Sequence, residues 1–324
     1  MQAAWYEKNG LATEVLMVGE LPDPAPGPGE VRVRLHASAV NPSDVKARAG
    51  SRKEVWDRIV PNSDGAGIID RMGSGVEPSR IGQRVWIYNG QWERPYGTSA
   101  QYIALPAALA VPLADGLSFE QGACLGIPVM TAHRCLFADG PVAGKTVLVT
   151  GGAGVVGHYA IQLAKWAGAK VITTVSTSAK AAHARAAGAD LIINYRNENV
   201  AERIRAEVGG VDRIVDVDFG KNLPVSAAVL KPHGAITCYA STSVREPVFP
   251  YNDLLRLNIS VRPVFVYTMP DAAKARAHAD IARWVREAKP RFAIAERFSL
   301  AEVVQAHLAV ERGEKIGHVL LTPL

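Results

Sequence analysis

The run VLVTGGAGVVGHYAIQLAKWA, residues 147–167, decides the fold of this 324-residue chain. Residues 146–150 are mostly β-branched, as is typical of a buried parallel strand, and from Val155 the apolar residues follow one face of a helix. Between strand and helix, the glycines at 152, 154 and 157 have the spacing G-x-G-x-x-G. In this strand–turn–helix context the spacing predicts a dinucleotide-binding turn, rather than a turn that only connects packed elements.

Each glycine of this turn has an expected physical role. Gly152 permits the tight turn, Gly154 lets the backbone approach a pyrophosphate, and Gly157 lets the helix lie close to the strand. The helix N-terminus supplies free N–H groups and a positive dipole for the phosphates. The residues expected to bind the pyrophosphate are Gly152, Ala153, Gly154, Val155 and Val156.

The composition is that of a soluble globular protein, with 48% hydrophobic and 21% charged residues, and the length suggests two domains. No apolar run approaches the roughly 20 residues that span a bilayer. The net charge of +5 can attract polyanions, but the basic residues are dispersed among acidic ones, so nucleic-acid binding is not expected.

The cysteines and the N-terminal segment predict a cytoplasmic location. Cys124, Cys135 and Cys238 are widely spaced, form no ligand cluster and indicate a reducing compartment. The first ten residues, MQAAWYEKNG, have neither the basic nor the apolar region of a signal peptide.

Short strand patterns separated by turns dominate the chain up to about residue 118, which predicts a mostly antiparallel β-domain. A proline-rich loop, residues 21–29, cannot be regular structure. The strands are expected over residues 14–18, 30–37, 67–71, 84–88 and 100–104.

From residue 119 strands and helices alternate, which predicts βαβ units and a doubly wound parallel sheet. The strands are expected over 147–150, 171–175, 191–193, 213–217, 234–239 and 258–264, and the helices over 155–167, 178–187, 198–207 and 222–230. Two more helices are expected over 271–288 and 299–312, and a last strand over 318–322 should return to the first domain. The predicted division is a dinucleotide-binding Rossmann domain of residues 119–265, and a β-rich catalytic domain of residues 1–118 plus 266–324.

The end of the second parallel strand distinguishes the two nicotinamide cofactors. An NAD site needs an acidic residue there for the ribose 2′-hydroxyl, but the segment VSTSAK, residues 175–180, has none. Ser176 and Lys180 suit a 2′-phosphate instead, and Asp190 comes too late for the acidic role. The alternative is that the serines cap the next helix and Lys180 is solvated. The absent carboxylate favours NADPH.

Further motifs along the chain occur together in one enzyme family. They are VNPSDVK (40–46), PNSDGAG (61–67), MGSGV (72–76), GQRV (82–85), YGTSAQY (96–102), QGACLGIPVMTA (121–132) and INYR (193–196). With the glycine turn, they make the chain resemble the zinc-free quinone oxidoreductase (zeta-crystallin-like) branch of the medium-chain dehydrogenase/reductase superfamily. The resemblance implies an α/β fold: a Rossmann sheet plus a mostly antiparallel β (GroES-like) catalytic domain.

The resemblance also predicts that the chain has no metal site. Zinc alcohol dehydrogenases of the superfamily carry a cysteine ligand where this chain has Asn41, and a histidine ligand where it has Ser63. A catalytic zinc needs three protein ligands, and an amide and a hydroxyl are poor replacements. Three scattered cysteines cannot form the structural zinc site of those relatives either.

Without a Lewis acid, NADPH most readily delivers hydride to an electron-poor acceptor, such as a quinone or an α,β-unsaturated carbonyl. The resemblance implies a cleft between the two domains, with Asn41, Asp44 and Thr131 near the nicotinamide. Asn41 can donate to the acceptor oxygen. Asp44 orients its neighbours or caps the following helix, and Thr131 contacts the cofactor or packs its helix.

The proton donor stays open at this point. Lys46 stands where several quinone reductases of this branch have a tyrosine, and it either donates a proton or is solvated. Tyr88, Tyr96 and solvent are alternatives. Enoyl thioester reductases have a proton-donating tyrosine soon after the next glycine, where this chain has Ser51 and Arg52, which weakens that assignment.

The resemblance adds further cofactor contacts and a dimer. Its 2′-phosphate neighbours are Lys180, Tyr195 and a C-terminal base, for which Arg312 and Lys315 are candidates and Lys315 is our choice. The residues expected near the nicotinamide ribose and carboxamide are Tyr239, Ser241, Phe265 and Val266. The edge strand 259–264 would join two sheets in a homodimer.

Three functions are therefore compared. The leading hypothesis is an NADPH-dependent, zinc-independent quinone reductase, and the nearest alternative is a reductase of alkenal or enone double bonds. A remote alternative is a non-catalytic protein that binds NADPH or RNA.

Overall fold

The computed structural model describes residues 1–52 and 56–323, which form two compact units. The first unit consists of Met1–Ile127 and Phe292–Leu324, and the second of Pro128–Arg291. In the part of the chain that is described, no helix is both long and apolar enough to cross a membrane.

The described residues form fifteen strands, which are labelled in chain order. They are β1 (Gln2–Trp5), β2 (Met17–Glu20), β3 (Glu30–Val40), β4 (Asp64–Met72), β5 (Arg84–Ile87), β6 (Tyr102–Pro106), β7 (Ala110–Pro112), β8 (Thr146–Val149), β9 (Lys170–Val175), β10 (Leu191–Asn194), β11 (Val211–Asp216), β12 (Leu230–Cys238), β13 (Ser260–Pro263), β14 (Ile294–Ser299) and β15 (His318–Thr322).

Eleven α-helices accompany these strands. They are α1 (Ala12–Val15), α2 (Pro42–Lys46), α3 (Phe119–Ala123), α4 (Ile127–Phe137), α5 (Val155–Trp166), α6 (Ser178–Ala186), α7 (Val200–Val208), α8 (Phe219–Val229), α9 (Tyr251–Leu257), α10 (Asp271–Ala288) and α11 (Val303–Arg312). A π-helical turn covers Ala47–Ser51, and short 3₁₀ turns cover Pro78–Arg80, Ala107–Leu109, Val266–Thr268 and Leu300–Glu302.

The second unit is built on a six-stranded sheet in the order β10-β9-β8-β11-β12-β13, with every neighbouring pair parallel. The chain winds outward from β8 to β10 and then continues from β11 in the other direction, which is the Rossmann order. Leu148, Ile172, Ile214 and Ile236 on the central strands are fully buried. The predicted doubly wound parallel sheet is confirmed.

The first unit contains a seven-stranded sheet in the order β14-β15-β3-β4-β5-β7, in which β6 also pairs with β3. All pairs are antiparallel except that of β14 with β15. Val33, Leu35, Ile69 and Ile103 belong to its fully buried core. Residues 318–322 pair with β3 as expected, so the last strand does return to the first unit.

One expected strand is not continuous in the structure. Residues 14–18 were expected to be extended, but the short helix α1 ends at Val15 and β2 begins only at Met17. Ala12 and Val15, three residues apart, are the buried residues of α1, which is helical rather than alternating spacing.

The boundaries of the two units also differ from the expected division at 118/119 and 265/266. A Cβ on Gly122 of α3 would lie 2.9 Å from the Cβ of Ala66, so α3 packs closely on the first unit. Trp284 of α10 is fully buried and meets the ring of Tyr159 edge-on, which ties α10 to the second unit. The packing of α3 and α10 therefore decides to which unit each helix belongs, and the local sequence does not reveal that packing.

Because His307 of α11 is buried, we expect the free energy of unfolding to decrease in acid. Its side chain is fully buried, neither ring nitrogen has a hydrogen-bond partner among the described residues, and burial lowers its pKa from 6.5 to about 3. As pH falls from about 6.5 toward 3, the unfolded chain binds a proton that the folded chain does not, so the unfolded state is favoured.

We expect His307→Met to flatten the fall of melting temperature between pH 6.5 and pH 4, measured by calorimetry and compared with the parent protein. His233→Asn is the matched control, because His233 is exposed and its backbone conformation suits asparagine. Parallel curves for parent and His307→Met would contradict the assignment.

Candidate active site

The glycine turn of the second unit has the predicted position but a different division of roles. Gly151 adopts the left-handed backbone conformation, with φ of +66°, so Gly151 rather than Gly152 makes the tight turn. A Cβ on Gly152 would lie 2.0 Å from Oγ1 of Thr173. Gly152 is therefore required for close packing on β9.

The outer side of the turn is open to a ligand. Gly154 is exposed and is the N-cap residue of helix α5, and a Cβ there would meet only the Gly151 carbonyl oxygen, at 3.3 Å. Ala153 is buried, Val155 and Val156 are half-buried at the first helical positions, and Gly157 has no room for a side chain. The N–H groups of the first helical turn have no intrahelical acceptors, so this open end fits a pyrophosphate.

The residues expected near a 2′-phosphate lie at the ends of adjacent strands β9 and β10. The N–H of Tyr195 donates to the Val175 carbonyl at 3.1 Å, which places Tyr195 beside Ser176, and the Tyr195 side chain is about half exposed. Ser176 is buried, and Lys180 is half-buried with no ion pair to another described residue. Thr177, not a serine, caps α6 by accepting from the Lys180 N–H at 3.3 Å.

The residues expected near the nicotinamide follow β12 and β13. The Tyr239 N–H donates to the Asp216 carbonyl, and burial raises the pKa of the Tyr239 phenol well above its usual value. Ser241 accepts from the Gly220 N–H at 2.9 Å and donates to the Val244 carbonyl at 2.5 Å, so its hydroxyl holds local backbone. Phe265 is exposed, whereas Val266 is buried.

Two further expected contacts have different surroundings. Thr131 lies in α4 and is 5% exposed. Lys315 belongs to the first unit, where its ammonium lies 2.8 Å from Oε1 of Glu296. The structure therefore gives Lys315 a local partner, and its role at the 2′-phosphate stays a prediction.

In the first unit Asn41 is held between two buried carboxyl groups. Its side-chain Nδ2 donates to Oδ2 of Asp64 at 2.8 Å, and its backbone N–H donates to Oδ2 of Asp44 at 2.8 Å. The Ile127 N–H donates to both oxygens of Asp64, at 3.0 and 2.9 Å. The three side chains are at most 5% exposed.

Burial dominates the electrostatics of this cluster. It raises the pKa of Asp44 to about 7, against the opposing hydrogen bonds from Asn41 and the positive charge of Arg52. Burial, with the added repulsion of Asp44, raises the pKa of Asp64 well above its usual value. Burial therefore makes both carboxyl groups harder to ionise than exposed aspartates.

Asp44 fits the capping alternative, because it accepts the backbone N–H of the residue that precedes α2. Lys46 is exposed and forms no ion pair with the described residues, and its role as donor or solvated side chain stays a prediction. Of the tyrosine alternatives, Tyr88 is buried and Tyr96 is 42% exposed. The Arg52 guanidinium stacks over the Trp92 ring, 5.2 Å from its centroid.

Two residues of this site had no role assigned from the sequence. Asp64 was quoted only within a motif, and its contact to Asn41 follows from the β3–β4 pairing, which sets Ala39 opposite Asp64. Arg196, exposed beside Tyr195, adds a positive charge at the end of β10, which its place in the INYR motif could have indicated. No three His, Cys, Asp or Glu side chains in residues 1–52 and 56–323 are grouped to hold a metal ion.

Known protein families match both units. The family "Zinc-binding dehydrogenase" matches residues 155–282, and "Alcohol dehydrogenase GroES-like domain" matches residues 27–115. A quinone oxidoreductase of Pseudomonas aeruginosa is 32% identical over 318 residues, covering 96% of each chain. A 2-haloacrylate reductase of a Burkholderia species is 30% identical over 338 residues, covering 100% of this chain and 99% of the other.

Solved structures agree with these matches. Mycobacterial Rv1454c complexed with NADPH superposes with a TM-score of 0.88 at 28% identity, covering 100% of both chains. A structure described as an NAD-dependent alcohol dehydrogenase superposes with a TM-score of 0.90 at 30% identity, covering 99% of both chains. The solved structures thus include one described as NAD-dependent and one complexed with NADPH.

Proposed function

Because this chain belongs to the zinc-free quinone oxidoreductase branch of the medium-chain dehydrogenase/reductase superfamily, we propose that quinones are its preferred acceptors and that Asn41 binds the acceptor oxygen. The protein is an NADPH-dependent oxidoreductase of quinones or of activated double bonds. The observation that carries the proposal is the Asn41 amide, a hydrogen-bond donor anchored between Asp44 and Asp64 where zinc relatives have a metal ligand.

The second unit fits NADPH better than NADH. Residues 176–180, which come directly after β9, include no carboxylate. Among them, Lys180 has no acidic partner among the described residues. Asp190, the next carboxylate along the chain, is bonded instead to the Lys165 ammonium at 2.8 Å and the Val171 N–H at 2.7 Å. When bound, NADPH supplies the hydride that the acceptor takes up.

The residues of the chain bind, orient and stabilise in this proposal. The turn at Gly154 and the first turn of α5 bind the pyrophosphate, while Lys180 and Tyr195 bind the 2′-phosphate. Asn41 donates to the oxygen that becomes negative during reduction, whether that oxygen belongs to a quinone or to an enone. Both acceptor classes need only such hydrogen-bond stabilisation, which is why the enone alternative stays open.

The acceptor preference is tested by steady-state kinetics at the nicotinamide absorbance band. We expect ortho-quinones to have a higher kcat/KM than 2-alkenals with NADPH as donor. A higher kcat/KM for the alkenals would replace the proposal by the double-bond reductase, for which the similarity to 2-haloacrylate reductase is the supporting observation.

Lys180→Ala should raise the KM for NADPH about tenfold or more, since a charge-assisted hydrogen bond contributes roughly 1.5–3 kcal/mol. The KM for NADH, which lacks the 2′-phosphate, should not change. Lys170→Ala is the matched control, because Lys170 is exposed at the opposite end of the same strand, β9. Equal changes for both cofactors would contradict the assignment.

We also propose that two copies associate through strand β13. This strand is at the edge of its sheet, and exposed apolar side chains lie before and after it in the sequence. These side chains are Val248, Phe249, Tyr251, Leu255 and Phe265, which are 44–94% exposed. Pairing of β13 with its copy would satisfy the free edge and bury these side chains. A cytoplasmic location is proposed as well, supported by Cys124, Cys135 and Cys238, which are buried and form no disulfide among the described residues.

Sedimentation should show a dimer that Val248→Asp combined with Leu255→Glu converts to a monomer, because buried charges without partners oppose association. Ile81→Glu, at a residue of the first unit that is 46% exposed, should leave the dimer intact. A monomeric parent protein at micromolar concentration would contradict the proposal.

A further inference from the structure

We propose that Asp64 is a positioning residue for the reduction: it fixes the side-chain amide of Asn41, so that the remaining N–H of that amide has one direction. The inference rests on the proposed function of Asn41 as the donor to the acceptor oxygen. It adds a residue that does not itself contact the acceptor.

The hydrogen bonds determine which side of the Asn41 amide faces Asp64. The Ile127 N–H donates to both carboxylate oxygens, at 3.0 and 2.9 Å, and Asn41 Nδ2 lies 2.8 Å from Oδ2. Since both Asp64 oxygens accept the Ile127 N–H, Asp64 acts as an acceptor, so it bonds the NH₂ side of the Asn41 amide and not the carbonyl side.

The Asp64 carboxyl has no freedom to turn away. Its side chain is fully buried, and a Cβ on Gly126 would lie 2.2 Å from Oδ1 and 2.8 Å from Oδ2. Its backbone is fixed as well, since Asp64 is opposite Ala39 in the β3–β4 pair and its carbonyl accepts from Oγ1 of Thr98 at 2.7 Å. Asp64 therefore gives Asn41 a rigid reference point.

Asn41 is anchored at both its side chain and its backbone. While Asp64 holds Nδ2, the Asn41 N–H donates to Oδ2 of Asp44 at 2.8 Å. A donor held in this way needs little reorganisation when negative charge develops on the acceptor oxygen. Preorganised donors accelerate a reaction for this reason. Loss of the Asp64 bond would leave the amide free to rotate about its own side-chain bonds.

A purely structural role makes a different prediction. If Asp64 served only the Ile127 N–H where α4 begins, its substitution would reduce stability independently of Asn41. A positioning residue acts through Asn41, so its effect on the reaction must vanish once the Asn41 amide is removed. A double-mutant cycle separates the two roles.

The test compares Asn41→Ala, Asp64→Asn and the double variant, with kcat for an ortho-quinone at saturating NADPH, the Kd of NADPH and the melting temperature as readouts. We expect kcat to fall about 10²-fold in Asn41→Ala and about tenfold in Asp64→Asn, with an unchanged Kd for NADPH. The double variant should be no slower than Asn41→Ala alone.

Multiplied losses in the double variant, or an unchanged kcat in Asp64→Asn, would overturn the inference. An unchanged kcat in Asn41→Ala would refute the proposed function of Asn41 and, with it, the role of Asp64. In the former case the proposed function of Asn41 stands and only the role of Asp64 fails. In the latter case both fail, so the two failures are distinguishable.

Gly126→Ala provides a second variant in case Asp64→Asn does not fold. It retains every functional group but displaces the Asp64 carboxyl, so kcat should fall while the Kd of NADPH stays unchanged. In the Asn41→Ala background the same substitution should not lower kcat further. Gly116→Ala is the control, because nothing lies within 4 Å of a Cβ at Gly116. An additional kcat loss in the Asn41→Ala background would overturn the inference.

Discussion

Gly154→Val is expected to weaken NADPH binding by more than about 100-fold while the protein remains folded. A Cβ at residue 154 meets only the Gly151 carbonyl oxygen, at 3.3 Å, so the fold accepts it with a shift of a few tenths of an ångström. The same Cβ would occupy the open side of the turn, where a pyrophosphate must approach the backbone. Loss of two or more charge-assisted hydrogen bonds, each contributing roughly 1.5–3 kcal/mol, gives this magnitude. Fluorescence titration of NADPH measures it.

Two other glycines serve as controls for this prediction. Gly152→Ala should mainly lower the melting temperature, because its Cβ would lie 2.0 Å from Oγ1 of Thr173. Gly116→Val should change neither binding nor stability, since a Cβ there meets nothing within 4 Å. Normal NADPH binding by Gly154→Val would show that the pyrophosphate does not lie on this turn.

Asn41→Ala is expected to lower kcat/KM for quinones about 10²- to 10³-fold, the usual effect of removing one donor to a developing oxyanion. The Kd of NADPH should not change, because Gly154, Lys180 and Tyr195, the residues proposed to bind the phosphates, belong to the second unit. The melting temperature should fall, since Asp64 loses the donor that lies 2.8 Å from its Oδ2.

Lys46→Ala is the informative comparison for Asn41→Ala. Lys46 is exposed, and in the solvated interpretation its removal leaves kcat and its pH profile unchanged. A kcat that falls in Lys46→Ala would identify Lys46 as the proton donor. A kcat/KM for quinones that stays within a factor of two in Asn41→Ala would refute the proposed oxygen contact.

The fold of the second unit could be predicted from local sequence, because its signals are local. Buried parallel strands are continuous apolar runs, and the helices between them have regular apolar spacing, so β8 to β12 and α5 to α7 lie close to the predicted ranges. The role of Gly151 was missed because a left-handed φ is a property of the folded turn, not of the glycine spacing.

The first unit was harder to predict because its elements are short and their partners are distant in sequence. β15 pairs with β3 across more than 250 residues of chain and β14 pairs with β15, and the sequence indicated only β15. Helix α1 occupies part of a segment whose apolar residues also suit a strand. Packing across the unit, rather than local preference, decided both cases.

The candidate site shows the same distinction. The NPSD motif identified Asn41 and Asp44 as candidate site residues. The structure shows that the Asn41 backbone N–H donates to the Asp44 carboxyl group. Asp64 acquires its importance only from the register of β3 and β4 and from the Ile127 N–H, which are tertiary features. The Lys315 ammonium contacts Glu296, and no pattern in the sequence indicated that ion pair.

The most direct test of the central claim is NADPH oxidation by the purified protein, followed with ortho-quinones and 2-alkenals in a sample whose zinc content has been determined by elemental analysis. We predict turnover with at least one of these acceptor classes, faster with NADPH than with NADH, in protein with far less than one zinc per chain. No turnover with either class, or turnover that requires stoichiometric zinc, would contradict it.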